Sequence, residues 1–238
     1  MSSIRKLINQ TAIYGTSSII GRFLNFLLTP LYALQFTNEQ YGIITEMYAY
    51  VAFLVVFLTY GMETAFFRFS TTNKNGKLNI YSNTLYSLIT SSTIFVAMAT
   101  IFSENIADWL KYPNHKEYII WFSLIVSLDA VSSIPLAKLR LQEKAKKFAL
   151  VNLLNVGVNI FLNLVFVVYC KEAYESGHTN WITENLYNPE IGVGYVFISN
   201  LIASVIKFGV LMPTMRFKGT FDFTIIKEMI RYAGPMLL

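Results

Sequence analysis

GRFLNFLLTPLY, residues 21–32, is the stretch on which the fold turns. It is apolar around Arg22, and Arg22 poses the problem: if the run crosses a membrane, a charge near its middle costs at least ~2.5–3.5 kcal/mol on insertion scales and needs a partner, water or a ligand. Composition settles the first half of the question. The 238 residues are 54% hydrophobic, 16% aromatic and only 14% charged, whereas a soluble domain carries about 25% charged residues. Such a chain cannot cover itself with a polar surface. Its apolar residues also come in separate blocks of about 20, the length a helix needs to cross roughly 30 Å of hydrocarbon.

The sequence therefore reads as an all-α, polytopic transmembrane helical bundle. Six spans are expected, over about 11–34, 41–61, 81–103, 117–138, 148–169 and 191–213, with the start of a seventh near Tyr232. A barrel would show ~10-residue alternating segments in place of continuous blocks. The first span is too long for a signal peptide and no small-residue cleavage site follows it, so it reads as a retained helix. Cys170 is the one cysteine, which rules out an intramolecular disulfide.

A net charge of +5 raises the question of nucleic acid, but the basic residues sort by loop. Arg5 and Lys6 precede span one; Arg68, Lys74 and Lys77 separate spans two and three; Lys138, Arg140, Lys144, Lys146 and Lys147 follow span four; Arg216, Lys218, Lys227 and Arg231 follow span six. The alternate loops hold only Lys111, Lys116 and Lys171, giving fourteen against three. That is the positive-inside pattern, and it places the N-terminus in the cytoplasm with membrane lipid, not nucleic acid, as the surrounding partner. Two further segments stand out. Residues 170–190 form an acidic outer loop, and 214–231 form a basic inner segment whose apolar residues fall near helical spacing, as in an amphipathic helix at the inner surface or a linker between membrane blocks. The expected division is a six-helix lobe over 1–213, this linker over 214–231 and the start of a second lobe over 232–238.

Polar residues inside the spans are the candidates for function. In span one, Thr11, Gly15, Ser18, Arg22, Asn25 and Thr29 recur at steps of four and three and share one helix face. Packing between helices accounts for Gly15 and Ser18. Arg22 has two accounts: an internal salt bridge, for which Asp129 in span four is the candidate partner, or a water-filled cavity where its forked donors bind an anion such as phosphate. Asp129 itself reads as a counter-ion, a proton or cation site, or a buried neutral acid. Glu46 in span two lies close enough to the outer end to reach headgroup water, and is a second ion-coupling candidate. Lys207 in span six can snorkel to the inner surface. Asn152, Asn155, Asn159 and Asn163 line one face of span five, either to hydrogen-bond another helix or to wall a cavity that accepts sugar hydroxyls. Pro30 and Pro135 can bend their helices. The sequence contains nothing resembling a metal cluster, a Ser-His-Asp set or a P-loop, so no cofactor, ATP-driven pump or enzyme activity is expected.

The order of several motifs carries a resemblance. Residues 21–69, GRFLNFLLTPLYALQFTNEQYGIITEMYAYVAFLVVFLTYGMETAFFRF, resemble the start of the O-antigen and oligosaccharide flippases of the multidrug/oligosaccharidyl-lipid/polysaccharide exporter superfamily: an arginine-bearing first helix ending in Pro-Leu, an "EQYG"-like outer turn, and a Gly-x-x-x-Ala segment closing in "RF". IPLAKLRLQEKAKKFALVN (134–152), NIFLNLVF (159–166), IGVGYVFISNLIAS (191–204) and IIKEMIRYAGPMLL (225–238) agree. The resemblance implies a two-lobed transporter of the bacterial inner membrane, in which a lipid-linked oligosaccharide passes between the lobes. This chain then supplies the first lobe, and a C-terminal lobe or a second chain is an implied partner. It also implies that Arg22 faces the central cavity, binding the pyrophosphate of a polyprenyl-linked glycan together with Asn25 and the Asn155 and Asn159 face, while Asp129 or Glu46 couples movement to an ion. A multidrug exporter of the same superfamily, or a non-transporting scaffold or remnant, is the alternative expectation.

Overall fold

A computed structural model of the chain describes residues 2–72, 77–113, 115–178, 180–215, 217 and 221–236, with side chains from Gln10 onward except at 77, 78 and 236. Of the basic residues counted above, Lys74, Arg216 and Lys218 lie outside the described residues, as do the side chains of Arg5, Lys6 and Lys77.

The long helices are α1 (Ser2–Phe26), α3 (Asn38–Thr59), α5 (Lys77–Ile101), α7 (Lys116–Leu141), α8 (Ala145–Asn163) and α11 (Gly194–Leu211). Shorter ones are α2 (Leu28–Gln35), α4 (Met62–Thr72), α6 (Ser103–Trp109), α9 (Lys171–Glu175), α10 (Trp181–Leu186) and α12 (Phe223–Ala233). Among the described residues no strand occurs, and six helices are long and apolar enough to cross a membrane. Two spans are longer than the sequence suggested. Stacked on α3, α4 extends the second to Asn38–Thr72, and α8 runs through a wide turn over Leu164–Cys170 into α9, so that the fifth covers Ala145–Glu175 and takes in the first residues of the expected outer loop.

Proline and small residues explain the local geometry. Pro30 has no N–H to offer the Phe26 carbonyl, and the helix of span one breaks at Leu27, one turn before it. Pro135 leaves α7 unbroken. The turn into α3 is closed by a capping box: Thr37 Oγ1 accepts from the Gln40 amide at 3.3 Å, and Gln40 Oε1 accepts from the Thr37 amide at 3.2 Å. At the centre of the bundle, α7 packs against α5, α11 and α3, with 61% of its membrane window buried inside the protein. Its buried face carries Ser123, Ser127, Ala130, Ser132 and Ala137, and such small side chains let neighbouring backbones approach where lipid gives helices little hydrophobic reason to associate. Outside α11 lies α8, and outside α8 lies α1.

Two large apolar cores result, with a smaller cluster of Leu139, Phe148, Val151 and Leu211 beside them. One, built around Tyr118, Phe122, Val196 and Phe197, fills the end of the bundle where α7 and α11 begin. The other, built around Met62, Phe66, Leu85, Ile134 and Met229, fills the end that carries most of the basic loop residues. We refer to the latter as the basic end. Within the amphipathic segment α12 runs from Phe223 to Ala233 and inserts Ile226, Met229 and Ala233 against α4 and α5. Gly61 makes the fit possible. Its φ of +69° is left-handed, and a Cβ there would lie 3.1 Å from Ala233 Cβ and 3.2 Å from the Ala233 carbonyl oxygen. Gly61→Ala is expected to cost about 1–2 kcal/mol from the backbone conformation alone and to push α12 outward. A lowered unfolding midpoint in detergent and faster amide exchange across α12 are the measurements.

Candidate functional site

In span one, the face that packs against α8 is Tyr14, Ser17, Gly21, Leu24 and Leu28, with a Cβ at Gly21 only 3.6 Å from Val156 Cγ2. The polar face is left open, as are the apolar side chains of Ile19, Phe23 and Phe26 beside it. Thr11, Gly15, Ser18, Arg22 and Asn25 are all exposed, so Gly15 and Ser18 pack against no helix among the described residues. An exposed polar strip on a membrane-spanning helix marks a surface that is not meant for hydrocarbon.

The upper end of that strip opens into a cavity of about 340 Å³. Asn25 and Thr29 line it from span one, Tyr41, Thr45 and Tyr48 from α3, Asn155 and Asn159 from α8, and Asn200 from α11. It lies in the half of the bundle away from the basic end, as the position of each residue along its helix requires. The wall is uncharged but rich in amide and hydroxyl groups. Asn155 Nδ2 is buried there without a hydrogen-bond partner. Asn200 Nδ2 donates to the Tyr48 hydroxyl at 3.3 Å.

The asparagine face of span five divides between its two accounts. Asn163 joins helices: its Oδ1 accepts from the Tyr32 hydroxyl at 2.9 Å, and its Nδ2 donates to Asn159 Oδ1 at 3.1 Å. Asn155 and Asn159 line the cavity. Arg22 stands one turn below Asn25, about 4.5 Å along the axis, exposed and without a hydrogen bond or ion pair among the described residues.

Asp129 is not its partner. Asp129 Oδ1 accepts from Lys207 Nζ at 2.6 Å and from Ser204 Oγ at 3.0 Å, linking α7 to α11 between the two cores. The side chains are 29% and 11% exposed, so Lys207 is buried in an ion pair and does not snorkel to the surface. The sequence held a signal for this. Both α7 and α11 run toward the basic end, and Asp129 and Lys207 each lie thirteen residues into their helices, at one depth. Asn200, Ser204 and Lys207 also recur at steps of four and three, a polar line on α11 that accounts for Asn200 as well. Tyr32, Tyr41 and Tyr48 carried no such signal, because tyrosines in a membrane protein are more often interfacial anchors.

Glu46 belongs elsewhere. It accepts from the Tyr50 hydroxyl at 2.9 Å and the Tyr112 hydroxyl at 2.5 Å, in a separate groove. Burial, and then the bond to Glu46, push the Tyr112 hydroxyl above its usual range, so it stays a donor at physiological pH.

The family described as polysaccharide biosynthesis protein matches residues 36–238, a stretch that includes Glu46, Asp129, Asn155 and Asn159 and begins after Arg22 and Asn25. No curated protein and no solved structure matches. With six membrane-capable helices and a match over most of its length, the chain belongs to the polysaccharide biosynthesis protein family.

Proposed function

We propose that the chain is the cavity-forming lobe of a flippase that moves a polyprenyl-pyrophosphate-linked oligosaccharide across the bacterial inner membrane. The observation that carries this reading is the uncharged cavity lined by amides and hydroxyls in a membrane-spanning bundle. Sugar hydroxyls and phosphates are costly to place in hydrocarbon unsolvated, and a wall of amides and hydroxyls replaces their water. The work is physical transfer, with no bond made or broken and no cofactor. The distribution of basic residues orients the N-terminus and the basic end toward the cytoplasm, which puts the cavity in the outer half. Arg22, below the cavity on the open polar strip, holds the pyrophosphate; Asn25, Asn155 and Asn159 hold the sugar. The open strip then faces a second lobe or chain, while the polyprenyl tail stays in lipid.

Ion coupling falls to Asp129, whose carboxylate is held by Lys207 and Ser204 and is the group for which a transported cation competes with Lys207. A cation exporter would want a carboxylate free in the cavity, but Asp129 is occupied by Lys207 and the cavity wall is uncharged.

Asn155→Leu tests the cavity. Nδ2 has no hydrogen-bond partner to lose among the described residues, so the unfolding free energy in detergent is expected to stay within about 0.5 kcal/mol of wild type, the range of substitutions that break no packed feature. Export of the glycan, measured by surface staining, is expected to fall several-fold. Normal export from this variant would remove the cavity from the transport path.

A further inference from the structure

The groove that holds Glu46 adjoins a second, apolar one. The first, about 770 Å³, is lined by Glu39, Glu46, Tyr50, Trp109, Lys111 and Tyr112. The second, about 360 Å³, is walled by apolar groups from α3, α5 and α7, among them Met47, Leu54, Phe95, Ala99 and Phe122. Tyr50, Trp109 and Leu110 line both. Along α3 the polar groove takes residues 39–50 and the apolar one 47–54, so polarity falls away from the end of the helix toward the middle of the bundle. That is the direction in which a lipid of the nearer leaflet falls from headgroup to chain.

We propose that these two grooves form one binding site for a phospholipid with a primary-amine, ethanolamine-type headgroup. The choice of headgroup follows from charge and geometry. Two carboxylates face one ammonium in the polar groove, so an anionic headgroup or the pyrophosphate of a transport substrate is repelled, while a headgroup bearing an amine beside a phosphate finds complements for both. The Tyr50 and Tyr112 hydroxyls fix Glu46 by donating to separate oxygens, which leaves each oxygen a lone pair for an N–H donor. The aromatic faces of Tyr50 and of Trp109, 79% exposed, add cation–π attraction. Lys111 supplies the phosphate contact. A quaternary amine has no N–H to give, so a choline headgroup satisfies the rings but not the carboxylates. This site stands on the far side of α3 from Asn155 and Asn159, shares no lining residue with the cavity, and depends only on the chain being in a membrane.

Trp109 reports on it directly, since it lines both grooves. The full-length chain carrying Trp121→Phe and Trp181→Phe, which leaves Trp109 as the sole tryptophan, is reconstituted in phosphatidylcholine vesicles containing a minor fraction of phospholipid brominated on its acyl chains. Headgroups of ethanolamine, glycerol and choline are compared at equal fraction. Quenching by the ethanolamine lipid is expected to indicate a local affinity about two- to fivefold above the other two, the size of a solvent-exposed ion pair. Adding Glu39→Gln and Glu46→Gln is expected to bring the three together. Equal quenching by the three lipids in the protein with both glutamates, or a preference for the glycerol headgroup, would overturn the proposal, and that comparison needs no glutamate variant to fold. Because the readout is fluorescence, it stands or falls separately from glycan export.

Discussion

Arg22→Ala is expected to abolish glycan export while the protein inserts and accumulates as wild type does. The two halves of that expectation come from the same observation. Arg22 is exposed and has no hydrogen bond or ion pair among the described residues, so its removal breaks no internal contact. What it loses is the guanidinium fork, the one side chain on the strip suited to grip a phosphate through two parallel bonds. Each charge-assisted bond is worth about 1.5–3 kcal/mol, so losing a pair weakens binding by roughly a hundredfold or more. Arg22→Lys keeps the charge without the fork and is expected to export at an intermediate level. Surface glycan in a host lacking its own flippase, set against protein level by immunoblot, is the measurement; wild-type export from Arg22→Ala would sink the phosphate role.

Breaking the Asp129–Lys207 pair should have the largest effect on stability. Asp129→Ala takes from the largely buried Lys207 ammonium the carboxylate it is paired with, and removing one partner of a buried pair costs about 3–5 kcal/mol. The double variant Asp129→Asn/Lys207→Met keeps the shapes and removes both charges. Its unfolding midpoint is expected to return most of the way to wild type, because the pair's attraction largely offsets the desolvation of its members. Export should not return with it if Asp129 carries the coupling ion. A folded double variant that exports normally would reduce the pair to a structural tie, and an Asp129→Ala protein as stable as wild type would show that the two groups are not held together.

Much of this architecture is legible in the sequence, because the membrane imposes its thickness on every span. The six spans were readable from apolar length, and so was the amphipathic character of the segment that becomes α12. The polar face of span one was readable from steps of three and four. Its role was not, since the same spacing describes a packing seam and an open strip, and only the neighbours of Gly21 and Ser17 show which side α8 takes. Asp129 is legible as an intramembrane carboxylate, but of its possible cations Arg22 is the candidate the sequence suggests and Lys207 the partner the fold supplies, for a similar reason. Depth along a helix comes from counting, but the choice between Arg22 and Lys207 depends on which helices touch. The wide turn at 164–170 leaves no trace in the residues, which are as apolar as those of the regular helix before them and include no proline or glycine.

The contact between Gly61 and Ala233 joins residues far apart in the chain. It fastens α12 across the joint between α3 and α4, at the end of the bundle where Arg140 and Glu63 also pair. The cavity and both grooves lie in the other half. In mechanical terms the lobe resembles a pair of tongs, clamped at the basic end and hollow toward its tips. Strain applied through α12 would be delivered to the pivot, and small rotations there would be magnified into changes of width at the cavity, some 20 Å away by the rise of α3.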